Sequence, residues 1–227
     1  MHFLIIGLLL VVAIFGPQWW AQSILRRHSA ERPDYPGNGG EFARHLLNQF
    51  QLDEVKIEAA EQGDHYDPVA KVVRLTPDKL NGKSLTAITV AAHEVGHAIQ
   101  DHLNYAPLQL RARLVRLAQG AEKAGSGIMM VLPFVAMLTR SPGASAAMFL
   151  VGLGSMAIST IVHLVTLPVE WDASFGRAMP LMRAGRYVNQ ADERAARRIL
   201  QACALTYLAS SLASLLNVWR WLRLWRR

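Results

Sequence analysis

The apolar residues of this chain gather into blocks separated by polar stretches, and that distribution limits the folds open to it. The blocks run from Phe3 to about Trp20, Gly125 to Thr139, Ala144 to Val169, and Ala202 to about Val218. Hydrophobic residues make up 52% of the chain and charged residues 18%, against roughly 25% charged in an ordinary soluble domain. A spanning helix needs about 20 apolar residues. The first block meets that length and ends in Trp19-Trp20, a pair suited to a membrane interface. Met1-His2 carries no lysine or arginine, so the block reads as an uncleaved anchor and not as a signal peptide.

The second and third blocks flank a turn at Arg140-Ser141-Pro142-Gly143 and read as a helical hairpin. The third is long enough to span with tilt and is rich in Gly, Ala and Ser, which allow close packing in lipid. The C-terminal Trp219 to Arg227 stretch resembles an interfacial anchor. The expected fold is therefore mainly α with a small β-sheet, an integral-membrane protein with an N-terminal anchor, a helical membrane hairpin and a C-terminal apolar helix. The expected organisation is a transmembrane anchor over 1–21, a catalytic part over 22–123 and the hairpin over 124–169. A second catalytic segment over 170–201 and a membrane or interfacial helix over 202–227 complete it.

The net charge is +7, and the arginines flank apolar blocks, as at Arg26-Arg27, Arg111-Arg113-Arg116 and Arg220-Arg223. Anionic lipid headgroups explain that placement better than nucleic acid does. Membrane lipids are thus expected partners and nucleic acid is not. By the positive-inside rule the catalytic part faces the cytoplasm. The single cysteine, Cys203, excludes an internal disulfide and a cysteine-based zinc site.

Between the first two blocks the chain reads as a water-soluble domain. Glu41 to Phe50 has the pattern of a short amphipathic helix. Val55–Ala60 and Val69–Leu75 look like strands flanking a turn-rich hairpin connection at Gln62–Pro68. Ser84 is placed to cap a helix running to about His102.

That helix carries His93-Glu94-Val95-Gly96-His97, an HExxH string. Residues four apart share a helical face, so His93 and His97 can close on one Zn²⁺. Glu94 then stands beside the metal, where it can take a proton from zinc-bound water. A catalytic zinc takes three protein ligands, and the continuation of the motif supplies no third histidine. His28 and His45 suit an interface and a surface, and His163 a packed, hydrogen-bonded role inside the third block. The leading third ligand is Glu170, with Asp172 orienting a ligand histidine from behind. The reverse order, and a purely helix-capping role for both carboxylates, remain open at this point.

These residues resemble the YugP-type integral-membrane zinc metallopeptidases. The matching strings are Asp64-His65-Tyr66-Asp67-Pro68, Val73-Arg74-Leu75, Ala91 through Gln100, Val165 through Ser174, and Ala202 through Tyr207. The resemblance covers essentially the whole chain. It implies a neutral zinc peptidase of the bacterial inner membrane, multi-pass, distantly akin to the HtpX and CAAX-prenyl-protease type. In that type the third ligand is a Glu on a later helix, which supports Glu170. The implied activity is metal-assisted hydrolysis of a peptide or membrane-protein substrate, with Glu94 as general base. His65, Tyr66, Tyr105 and Arg177 are unranked candidates for the oxyanion donor. The gluzincin architecture that the resemblance implies would make Val72, Val73 and Arg74 an edge strand that pairs with extended substrate. A catalytically silent zinc-binding membrane scaffold, or a membrane-surface binding protein, is the competing class; Glu94 argues against the scaffold. No feature fixes an oligomeric state.

Overall fold

The computed structural model describes residues 2–139 and 142–215. The chain is mainly helical and carries one small sheet. Helix α1 (His2–Arg27) leads to α2 (Gly39–Gln49), strands β1 (Lys56–Ala59), β2 (His65–Asp67) and β3 (Val72–Leu75), and the short α3 (Pro77–Leu80). Then come α4 (Leu85–His102), α5 (Ala106–Thr139) and α6 (Pro142–Trp171). A π-helical segment, Asp172–Ala178, passes into α7 (Met179–Ala184), and α8 (Gln190–Leu215) closes the described chain.

Local chemistry sets these elements. Asn38 and Glu41 form a reciprocal capping box at the start of α2, with Glu41 N–H donating to Asn38 Oδ1 at 2.8 Å and Asn38 N–H to Glu41 Oε2 at 2.9 Å. Ser84 caps α4 by accepting from Ala87 N–H at 3.1 Å. Every residue of α4 from Leu85 to Gln100 is buried, the condition of a helix covered on all sides. Its cover comes from α2, α8, the sheet and the π-helical segment. Leu46, Leu47, Val73, Leu75, Met179, Met182, Ile199 and Leu200 fill the core around it.

The sheet order is β1-β3-β2, with β1 parallel and β2 antiparallel to β3. Two expectations fall here. Val72, Val73 and Arg74 lie on the middle strand, paired on both sides, so they are not a substrate-binding edge; the open edges belong to β1 and β2. The segment expected as a hairpin connection contains β2 itself, and β1 and β3 therefore run parallel. Parallel neighbours cannot be joined by a tight turn, and the intervening residues supply the crossover by contributing a third strand.

The integral-membrane reading is also overturned. Among the described residues no helix is long and apolar enough to cross a membrane. The apolar blocks are parts of longer helices that lie in pairs: α1 along α8, and α5 along α6. Helix α5 opens with Arg111, Arg113, Arg116, Glu122 and Lys123, and α8 with Asp192, Glu193 and Arg194. The transmembrane anchor and membrane hairpin fall together, and multi-pass topology and the positive-inside argument are left without support. The C-terminal Trp219 to Arg227 stretch and the side chain of His163 lie outside the described residues.

One close approach positions the site. A Cβ on Gly96 would sit 2.7 Å from the carbonyl oxygen of Ala173, so only glycine lets the π-helical segment reach α4 here. Gly120, on the exposed side of α5, has nothing within 4 Å of an added Cβ. In urea denaturation, Gly96→Ala is expected to destabilise the protein by about 1–3 kcal/mol through overpacking. Gly120→Ala should change stability in the opposite direction, by up to about 1 kcal/mol from helix propensity. Equal midpoints for Gly96→Ala and wild type would contradict the close approach.

Candidate metal centre

His93 and His97 project from one face of α4, with ring centroids 4.8 Å apart and planes at 80°. Glu170 comes from the last turn of α6, two residues beyond Pro168, and is fully buried at 0% exposure. Proline removes a helical N–H, and the helix widens into the π-helical segment just after Glu170, a device often found at functional sites. Glu170 Oε2 lies 3.2 Å from His93 Nε2 and 3.2 Å from His97 Nε2. One donor atom from each of the three residues lies within 4.8 Å of the others.

The hydrogen bonds behind the rings decide what these atoms can hold. Gln100 Nε2 donates to Val169 O at 2.9 Å and to Asp172 Oδ2 at 2.8 Å. Its Oε1 is therefore the end facing His97, and it accepts from Nδ1–H at 2.9 Å. Ser174 Oγ donates to Leu200 O at 3.3 Å and accepts from His93 Nδ1–H at 3.0 Å. A neutral imidazole with its proton on Nδ1 has a bare lone pair on Nε2. Two such lone pairs and a carboxylate oxygen then face one point, which is repulsive without a cation between them. Two imidazoles and one carboxylate also form a donor set suited to zinc. With bonds of about 2.0–2.1 Å and tetrahedral angles, ligand atoms stand roughly 3.3 Å apart, close to the spacing of Oε2 from each ring nitrogen. The residues present fit the metal.

Electrostatics agree. Burial alone would raise the pKa of Glu170, but His97 and His93 beside it draw it far below the carboxylate range. Burial would lower His97, and the Glu170 charge outweighs this and raises it. A proton or a divalent cation between Nε2 and Oε2 answers the same need. Glu94 is buried at 5% exposure, and that burial raises its pKa against the pull of His93 and His97.

The other residues singled out in the sequence are placed as follows. Asp172 does not touch a histidine; it reaches His97 through Gln100, and Arg177 Nε donates to its Oδ2 at 2.8 Å. The Arg177 guanidinium also lies over the Tyr105 ring, 5.5 Å from its centroid, within the reach of about 6 Å of a cation–π contact. Tyr66 O–H donates to Asp101 Oδ2 at 2.7 Å, and His65 Nδ1 lies 3.2 Å from Gly63 O. Tyr66, His65 and Arg177 have polar groups engaged by these partners, the Tyr105 ring lies under Arg177, and none of the four is hydrogen-bonded to the triad. Arg74 pairs with Glu58 and Asp67 on the sheet.

Three residues at the centre were not given roles from sequence. Gln100 and Ser174 stand three residues past His97 and four past Glu170, on the same helical faces, so their spacing could have marked them. Arg111 Nη1 donates to Glu170 Oε1 at 3.1 Å from the start of α5, and no spacing rule points to it.

Comparison with known proteins agrees with this centre. A family model described as "Putative neutral zinc metallopeptidase" matches residues 3–226. The chain is 35% identical over 219 residues to the "Putative membrane protease YugP" of Bacillus subtilis (strain 168), covering 93% of this chain and 92% of that protein. No solved structure matches. The chain belongs to this zinc metallopeptidase family.

Gln100 is fully buried and spans three partners. Gln100→Leu should cost about 1–3 kcal/mol of stability, because His97 Nδ1–H is left buried without an acceptor. Zinc affinity, measured by chelator competition, should fall by about 10–100-fold. Unaltered affinity would show that Gln100 does not hold the His97 ring.

Proposed function

We propose that this family member is a zinc-dependent endopeptidase in which His93, His97 and Glu170 hold the metal and Glu94 is the general base. The observation that carries this reading is the buried convergence of two imidazole lone pairs and one carboxylate oxygen, with a buried glutamate adjoining the first histidine. Bound there, Zn²⁺ supplies Lewis acidity that brings a water towards ionisation near neutral pH and polarises the scissile carbonyl.

The chain's own residues do the rest. Gln100 and Ser174 fix the tautomer and orientation of the two rings. Glu94, its pKa raised by burial, is a stronger base than an exposed carboxylate. It accepts the proton of the attacking water and returns it to the leaving amine. A protein that only stored zinc would have no use for a buried carboxylate at that position.

We place the enzyme at a membrane surface, acting on peptide or membrane-protein substrates. The printed name of the relative, a membrane protease, supports this. So do the exposed apolar side chains of Leu117, Val131, Phe134, Met137, Leu138, Leu150, Ile161 and Leu164 along α5 and α6. With exposed Arg113 and Arg116 on α5, that surface suits contact with anionic lipid.

Two substitutions test the roles. Glu94→Gln keeps size and leaves the three donors in place; it should retain near-stoichiometric zinc and lose peptidase activity by at least about 10²-fold, the scale of general-base catalysis. Glu170→Ala should lose most of its zinc and its activity together. Zinc content is read by atomic emission and cleavage with an unfolded protein substrate. Comparable cleavage by Glu94→Gln and wild type would remove Glu94 from the mechanism, and full zinc in Glu170→Ala would remove Glu170 from the ligand set.

A further inference from the structure

Arg111 belongs by sequence to a basic cluster with Arg113 and Arg116, at the start of the long helix α5. The three do not share one environment. Arg113 and Arg116 are exposed, whereas the Arg111 side chain is 23% exposed and meets a carboxylate that is itself fully buried. Its Nη1 donates to Glu170 Oε1 at 3.1 Å, while the other oxygen, Oε2, faces both histidine nitrogens at 3.2 Å. The two oxygens of Glu170 thus have separate tasks.

We propose that Arg111 is a positioning residue that engages Glu170 Oε1 so that only Oε2 is offered to the metal, leaving one coordination place for water. The inference rests on the ligand assignment proposed above. A glutamate can bind a cation through one oxygen or both, and at a site with two histidines the second oxygen would occupy the place that catalysis needs open. A charge-assisted hydrogen bond is roughly twice as strong as a neutral one. Arginine also stays charged at every working pH, so its hold on Oε1 is not released by titration. Burial strengthens the arrangement: with Glu170 at 0% exposure, no solvent competes for Oε1. The guanidinium also offsets the second of two carboxylates, Glu94 and Glu170, gathered in one buried place.

Cobalt provides the test, because the visible band of Co²⁺ is several-fold more intense with four ligands than with five. Wild type, Arg111→Met, Arg111→Ala and Arg111→Lys are loaded with Co²⁺ at equal occupancy, and kcat and KM are measured on the zinc forms. Arg111→Met keeps most of the stem packing and removes the charge. In both Arg111→Met and Arg111→Ala the band should weaken several-fold and kcat fall about 10–100-fold, with KM little changed. Arg111→Lys should restore the band and most of kcat. A mere strap between α5 and α6 would lower the melting temperature and leave the band alone, so an unchanged band in Arg111→Met or Arg111→Ala overturns the inference. A rise in KM without a change in the band overturns it also, by making Arg111 a substrate contact. Failure of wild type to take up Co²⁺ would overturn the ligand assignment, and this inference with it.

Discussion

A carboxylate without exposed surface is the constraint around which the helices of the candidate metal centre are arranged. Burying an unpaired charge costs several kcal/mol, so Glu170 requires positive partners on every side it presents. The structure gives it a guanidinium on one oxygen and, on the other, two ring nitrogens placed to share a cation with it. Those partners come from α4 and α5, while the carboxylate comes from α6. The centre is therefore a junction of three helices, and none of them can move far without separating charges in a dry environment.

The packing follows from that junction. Helix α4 is covered on all sides, and each of its two histidines donates a hydrogen bond to a different side chain behind its ring. Gln100 stands on α4 itself and ties His97 to Val169 and Asp172; Ser174 reaches across from the π-helical segment to His93. Arg177 extends the same chain of contacts outward to Tyr105. Precision at the ring nitrogens is thus a property of the backbone geometry after Pro168, as much as of the motif on α4.

Much of the centre was legible because helical periodicity is a strong signal. HExxH placed two histidines on one face, Ser84 marked where that helix begins, and the carboxylates after Pro168 stood out at the end of an apolar run. Arg111 was hidden, since its partner is 59 residues away in sequence and nothing local distinguishes it from Arg113. The sheet was misread for a related reason. A strand as short as His65–Asp67, set between Gly63-Asp64 and Pro68, looks like a loop until it is seen paired. Without it, β3 became an edge instead of the centre. The apolar blocks misled differently: composition records how apolar a stretch is, but not whether its face meets lipid or another helix, and α1 on α8 and α5 on α6 are helix pairs.

The wide turn at Asp172–Ala178 also bears on how the chain can vary. A π-helical stretch is equivalent to one extra residue accommodated in an α-helix. Loss of a single residue there would let the segment relax to ordinary α-helix and would leave Glu170 upstream undisturbed. Because the wide turn absorbs that residue, the helix beyond it would keep its phase, while the residues inside the turn would be displaced, carrying Ser174 away from His93 and Arg177 away from Asp172. Length, rather than identity, is then the property that this stretch of chain is least free to change: a substitution perturbs one contact, whereas a deletion displaces every contact the turn carries.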